Sequence, residues 1–156
     1  MLYIYDDKTH YYVDFMRIAI EQANLSKPIP TAYCVGAVIV KNGIILSTGY
    51  SRELPGNTHA EECALKKLSD PSQVENSTIF TTMEPCSKRL SGNKPCVERI
   101  IESKISRVVL GIKEPDNFVK CEGIDILRKN GIEVTVIEEL EDECLKCNKH
   151  LFENNK

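Results

Sequence analysis

The chain has no basic excess, no apolar run of membrane-spanning length, no internal repeat and no low-complexity tract, and each absence removes a class of function. Lys+Arg 20 against Asp+Glu 23 gives a formal net charge of -3. That balance argues against a protein whose affinity comes mainly from nucleic-acid phosphates, and favours a small-molecule ligand. No stretch approaches the ~20 apolar residues that cross a bilayer, and residues 1–10 are polar and aromatic where a targeting segment would be charged and then apolar. A nucleotide-cofactor motif is also missing, so no reductase activity is expected. Seven cysteines are a high, odd count. Their spacings do not repeat as a secreted disulfide framework would, so a reducing compartment, cytoplasm or nucleus, is the expectation, with no membrane attachment.

What is present fits one globular unit. At 156 residues, with 42% hydrophobic and 28% charged, residues 1–156 are read as a single domain that buries roughly two-thirds of its unfolded surface unaided. A bound metal in such a chain is more useful for chemistry than as a folding staple.

Residues 9–23 carry Tyr12, Phe15, Met16, Ala19, Ile20 and Ala23 on one face at helical spacing. After a proline-containing break, residues 35–40 and 44–48 are apolar runs around Lys41-Asn42-Gly43, the signal for a tight hairpin. Residues 59–68 read as a helix with Thr58 as N-cap and Ala60, Cys63, Ala64 and Leu68 on its buried stripe. Strands are expected at 79–82, 108–112 and 134–137, and helices at 94–103, with Pro95 in the first turn, at 123–130, closed by Gly131, and at 140–152. A hairpin followed by alternating helices and strands predicts an α/β fold, a three-layer α/β/α sandwich around a mixed five-stranded sheet.

The chemistry concentrates in His59-Ala60-Glu61, Pro85-Cys86 and Pro95-Cys96. One imidazole and two thiolates supply three zinc ligands and leave a fourth tetrahedral position open, as in catalytic sites; a structural zinc would want a fourth protein ligand. His59 and Cys96 fall at predicted helix N-termini, where the dipole favours thiolate over thiol. Glu61, two residues from the histidine, is placed to move protons without ligating. Taken singly, a histidine is usually structural and a cysteine a buried hydrophobe; together, with two Pro-Cys dipeptides, they make a specific signal. Cys144, Cys147 and His150 form a rival metal motif, but Leu140, Cys144, Cys147 and Leu151 share an apolar stripe, so core packing is the preferred reading. Cys34, Cys63 and Cys121 are likewise read as packing residues, and His10 as a surface or capping residue.

Longer strings carry a resemblance. Residues 49–61, with Gly49-Tyr50-Ser51-Arg52 and Asn57-Thr58-His59-Ala60-Glu61, then Thr81-Thr82-Met83-Glu84-Pro85-Cys86-Ser87, Arg89-Leu90-Ser91-Gly92-Asn93-Lys94-Pro95-Cys96, and Glu114-Pro115-Asp116-Asn117-Phe118-Val119-Lys120, resemble the cytidine-deaminase-like superfamily. More narrowly they are similar to the fungal-type pyrimidine deaminases of riboflavin biosynthesis. The resemblance implies one Zn2+ held by His59, Cys86 and Cys96, with Glu61 as proton shuttle. It also implies hydrolytic deamination at C2 of 2,5-diamino-6-ribitylamino-4(3H)-pyrimidinone 5′-phosphate, giving 5-amino-6-ribitylamino-2,4-pyrimidinedione 5′-phosphate and ammonia. The nine-residue gap between the cysteines suits a phosphorylated tail: Ser87, Lys88, Arg89, Ser91, Asn93 and Lys94 gather hydroxyls, amides and charge. Arg89 and Lys94 are the favoured phosphate partners. Asn57 either contacts substrate or shapes the turn, and Asp116 and Asn117 are placed where strand-end loops build pockets.

Bacterial relatives fuse such a domain to a reductase, and fungal forms can carry a pseudouridine-synthase-like region; the chain shows neither, and is expected to be free-standing or excised. A homodimer is the expected assembly. Two other readings stay open. One is a nucleoside, nucleotide or tRNA-base deaminase of the same superfamily, since specificity lives in the pocket loops. The other is a catalytically silent, zinc-stabilised interaction module, against which the presence of Glu61 counts.

Overall fold

The computed structural model describes residues 4–89, 92–114 and 122–152. Its elements run α1 (Ile4–Ala23), β1 (Gly36–Lys41), β2 (Ile44–Tyr50), α2 (Ala60–Lys66), a 3-10 turn (Pro71–Val74), β3 (Thr78–Met83), α3 (Cys96–Glu102), β4 (Arg107–Ile112), α4 (Gly123–Lys129), β5 (Glu133–Val136), α5 (Glu141–Lys146) and α6 (Lys149–Phe152). The strands form one sheet in the order β2-β1-β3-β4-β5. β1 is antiparallel to β2 and β3, whereas β3, β4 and β5 are mutually parallel, with Val38 opposite Phe80 and Phe80 opposite Val109.

Alternation along the strands divides the core in two. Ala37, Ile39, Ile79, Val108, Leu110 and Val134 point to the side covered by α2, α3 and α4. Val38, Val40, Phe80 and Val109 point to the side covered by α1 and the terminal helices, where Tyr12, Met16 and Cys144 meet them. The expected three-layer sandwich with a mixed five-stranded sheet is thus the observed one. No described helix is long and apolar enough to cross a membrane.

Local chemistry explains most boundaries. Asn42 and Gly43 both take positive φ, 53° and 77°, the pair of left-handed residues that the tight hairpin requires. The first helix begins at Ile4, earlier than the apolar stripe implied. Thr58 does not cap α2: His59 itself is the N-cap, its N–H bonded to Glu62 Oε1 at 3.2 Å, while the Thr58 hydroxyl donates to the Leu54 carbonyl at 2.8 Å. Leu68 lies beyond α2 and is only half-buried. Pro95 caps α3 from outside its first turn.

The expected terminal helix is two helices. Between them Asn148, 1% exposed, turns its amide onto the backbone of Cys34: its Oδ1 accepts from the Cys34 N–H, and its Nδ2 donates to the Cys34 carbonyl at 3.1 Å. A side chain here does what a strand neighbour would do, and a continuous helix could not present it that way. The segment around Cys34 leads directly into β1.

Two glycines set how closely the helices approach the sheet. A Cβ on Gly49 of β2 would lie 2.2 Å from the Ala60 carbonyl oxygen, so only glycine lets α2 sit this close with its His59 and Glu61. A Cβ on Gly123 would lie 2.2 Å from the Pro85 carbonyl oxygen, so the start of α4 packs directly on the Pro85-Cys86 dipeptide.

Candidate active site

His59 at the head of α2, Cys86 just past β3 and Cys96 at the head of α3 converge, although they are far apart in sequence. Cys86 Sγ and Cys96 Sγ each lie 3.5 Å from His59 Nδ1, and the three ligand atoms are all within 4.8 Å of one another. Among the described residues this is the one group of three or more metal-type side chains. The Cys96 N–H donates to Cys86 Sγ at 3.2 Å, and the Val97 N–H to the Cys86 carbonyl at 3.1 Å, so the turn into α3 fixes one cysteine against the other.

The donor set fits a soft divalent cation. Cys86 is held low, at about 4, first by its hydrogen bond with Cys96 and then by His59, against the opposing effect of burial. Cys96 is pushed up by that same hydrogen bond, by burial and by the negative charges of Glu61 and Cys86. Two buried sulfurs this close share a proton unless a cation lies among them, which is the situation that a zinc ion relieves.

Glu61 lies 3% exposed beside this group. Burial and then the Cys86 charge raise its carboxyl above the ordinary value, with His59 and the Thr81 hydroxyl pulling the other way. Thr81, on β3, reaches Glu61 Oε2 at 3.4 Å. The result is a carboxyl that holds a proton more readily than an ordinary glutamate.

A cleft of 340 Å³ opens over the site, lined by His59, Glu61, Cys86, Asn57, Lys88 and Arg89 together with Thr31, Tyr33, Ser51, Arg52, Glu84 and Glu114. Of the residues expected at a substrate site, Asn57, Lys88 and Arg89 reach this cleft. Ser87, whose hydroxyl accepts from the Glu122 N–H at 2.9 Å, does not line it, and neither do Asn93 or Lys94. Lys94 Nζ instead pairs with Glu102 at 2.7 Å on the outside of α3. The Arg89 guanidinium is not turned to the cleft as a free cation: it is spent on Glu62 at 3.0 Å, on the Lys94 carbonyl at 3.2 Å and on the Asn57 carbonyl. Ser91, Asp116, Asn117 and Cys121 lie outside the described residues.

Sequence reasoning missed three features. Glu62, buried beside Glu61, binds Lys66, Arg89 and Arg99 at 2.8, 3.0 and 3.2 Å. Burial alone would raise its carboxyl, but hydrogen bonds from Lys66, the His59 N–H and Arg89, with the Arg99 charge, bring it down to about 2. Glu84 staples the far wall, accepting from the Glu114 N–H at 3.1 Å and the Ile124 N–H at 3.2 Å. Arg52, with φ 64°, an uncommon value for a non-glycine, ties the 26–34 segment over the cleft through Ser26 Oγ and the Lys27 carbonyl at 3.0 Å and the Tyr33 carbonyl at 3.2 Å. Glu62 stands three residues after the true N-cap, His59, in a capping box, whereas with Thr58 read as the cap that position falls on Glu61.

Residues 10–112 match the family described as the cytidine and deoxycytidylate deaminase zinc-binding region. Over 144 residues the chain is 53% identical to the diaminohydroxyphosphoribosylamino-pyrimidine deaminase of Schizosaccharomyces pombe, covering 89% of this chain and 35% of that protein. It is 36% identical to the riboflavin biosynthesis protein RibD of Aquifex aeolicus, covering 89% of this chain and 38% of that one. The chain thus spans little more than a third of the length of these curated relatives. Among solved structures it superposes on the Aspergillus oryzae Rib2 deaminase in complex with DARIPP (a C-terminal deletion mutant), with a TM-score of 0.80 and 36% identity, over 92% of this chain and 93% of that one.

Proposed function

The chain belongs to the cytidine and deoxycytidylate deaminase zinc-binding family, and from that premise we propose that it deaminates the riboflavin precursor 2,5-diamino-6-ribitylamino-4(3H)-pyrimidinone 5′-phosphate at C2. The observation that carries this reading is the buried carboxyl of Glu61 set beside His59, Cys86 and Cys96 at the wall of a polar cleft. Zinc, when held by these three residues, supplies the Lewis acidity that makes water a nucleophile near neutral pH. Glu61 takes the proton that the attacking water loses and hands it to the ring nitrogen next to C2. A second transfer through the same carboxyl lets the C2 amine leave as ammonia, so the C–N bond is replaced by a carbonyl and water is the only co-reactant. The Thr81 hydroxyl, 3.0 Å from the Met83 carbonyl oxygen, lies 3.4 Å from Glu61 Oε2, and the Glu84 staple ties Glu114 to the start of α4.

The choice of a phosphorylated substrate is supported by the relatives' names and by the cations around the cleft. Arg52 and Arg89 are engaged with protein acceptors. Lys88, exposed at the rim, has no ion pair or hydrogen bond among the described residues, and its ammonium is therefore assigned to the phosphate. A reducing compartment, cytoplasm or nucleus, suits the six described cysteines, all free and buried. A homodimer is proposed on the family resemblance, and sedimentation at micromolar concentration tests it.

Ammonia release from the diaminopyrimidine phosphate, measured beside cytidine, dCMP and guanine, decides the substrate. Turnover of cytidine or dCMP alone would overturn the choice. Lys88→Ala is expected to raise KM for the phosphorylated substrate about 10-fold with kcat nearly unchanged.

A further inference from the structure

Arg89 sits in the segment joining the two cysteine ligands, with its side chain only 2% exposed. A guanidinium this far from water is costly unless its donors are matched; those on Nη1 and Nη2 go to three different places, while the buried Nε has no hydrogen-bond partner among the described residues. Nη1 binds Glu62 Oε1 at 3.0 Å and the Lys94 carbonyl at 3.2 Å, and Nη2 binds the Asn57 carbonyl. Asn57 lies two residues before His59 and Glu62 three after it; Lys94 lies two residues before Cys96; Arg89 itself lies three after Cys86. Glu62 extends the same network, accepting from the His59 N–H at 3.2 Å and from Arg99, on the far side of Cys96, at 3.2 Å. Every ligand-bearing segment is therefore tied to one buried ion pair, although no atom of that pair need touch the metal.

We infer that Arg89 is a positioning residue: its guanidinium sets the mutual spacing of the segments carrying His59, Cys86 and Cys96, and thereby the affinity of the site for zinc, and it is not a substrate-anion ligand. The inference rests on the zinc reading of those three residues. Planarity matters to it. A guanidinium can serve a carboxylate and two carbonyls lying in different directions, whereas a lysine ammonium at the end of a flexible stem meets them as a point charge.

The experiment measures zinc affinity by competition with a chromophoric chelator, and the thiolate-to-cobalt charge-transfer band after Co(II) substitution, for wild type, Arg89→Lys, Arg89→Ala and Glu62→Gln. Loss of a residue that orients metal ligands weakens binding by about 10- to 100-fold. That loss is expected in all three variants, smallest in Arg89→Lys, with a changed Co(II) band. At saturating zinc, KM for the phosphorylated pyrimidine should stay within about 2-fold of wild type. Cys144→Ala, which loosens the opposite face of the sheet, is the control and should keep wild-type zinc affinity. Unchanged zinc affinity in the variants, a KM increase confined to phosphorylated substrate, or an equal zinc loss in the control would each overturn the inference alone. Wild type that takes up no zinc would overturn the zinc reading as well. Should Arg89→Ala fail to fold, Arg89→Lys and Glu62→Gln carry the same decision.

Discussion

Two sets of the same residue types, His59 with Cys86 and Cys96 and His150 with Cys144 and Cys147, occupy one chain, and only the first gathers into a metal-sized group among the described residues. The difference is in what faces the sulfurs. Cys86 receives a backbone N–H from Cys96 and looks at an imidazole, and its thiol is held at about 4. Cys144 is pushed up to about 12 by burial and then by Cys147 and Glu143, and Cys147 to about 11 by burial and then by Cys34. Meanwhile His150 Nε2 lies 3.1 Å from the Ile29 carbonyl oxygen. Donors aimed at sulfur make a ligand, and apolar surroundings make a core residue out of the same atom.

Removing one member from each set gives the sharpest contrast. Cys96→Ser should bring zinc content from about one equivalent per chain to near zero and abolish deamination, while Cys144→Ala leaves the content unchanged. Two equivalents in wild type, by metal analysis, would break the comparison. Glu61→Gln keeps the metal and removes the proton carrier, so kcat should fall by about 10²- to 10⁴-fold with zinc retained; substantially intact turnover would remove Glu61 from the mechanism.

Smaller effects concern what surrounds each set. Glu62 has a folded value near 2 against an ordinary 4.5, so its contribution to stability is complete above about pH 4.5 and is lost as pH falls toward 2, about 3 kcal/mol in all. The urea-unfolding difference between wild type and Glu62→Gln should therefore shrink from pH 7 to pH 3, and a constant difference would contradict the buried ion cluster. Asn148→Ala strips both hydrogen bonds from Cys34 and should cost about 1–3 kcal/mol of stability without changing zinc content.

Much of the zinc site was legible because its signals are local. His59-Ala60-Glu61 and the two Pro-Cys dipeptides carry residue type, spacing and chain direction together, and the short runs of β1, β3 and β4, buried on both faces, carry the sheet. What could not be read was pairing across the chain. Arg89 reads as a phosphate partner, and nothing in its neighbourhood in sequence signals that its guanidinium pairs with Glu62, 27 positions away. Residues 140–152 have continuous helical periodicity, and the break coincides with the bonds from Asn148 to Cys34, which no local pattern signals. The Thr31–Tyr33 wall of the cleft has no periodic signal, since its place is fixed by Arg52 and not by an apolar pattern.

That bond between Cys34 and Asn148 spans a sequence separation of 114. Closing so long a loop is entropically expensive and comes late in folding. In a chain made from its N-terminus, the cleft wall beside Tyr33 is first held by Arg52 and Ser51, and gains its tie to Asn148 only after all five strands have been synthesised. A chain that already has its five strands and the three zinc ligands can therefore assemble the sheet and the metal site while one side of the cleft still waits for its last tie.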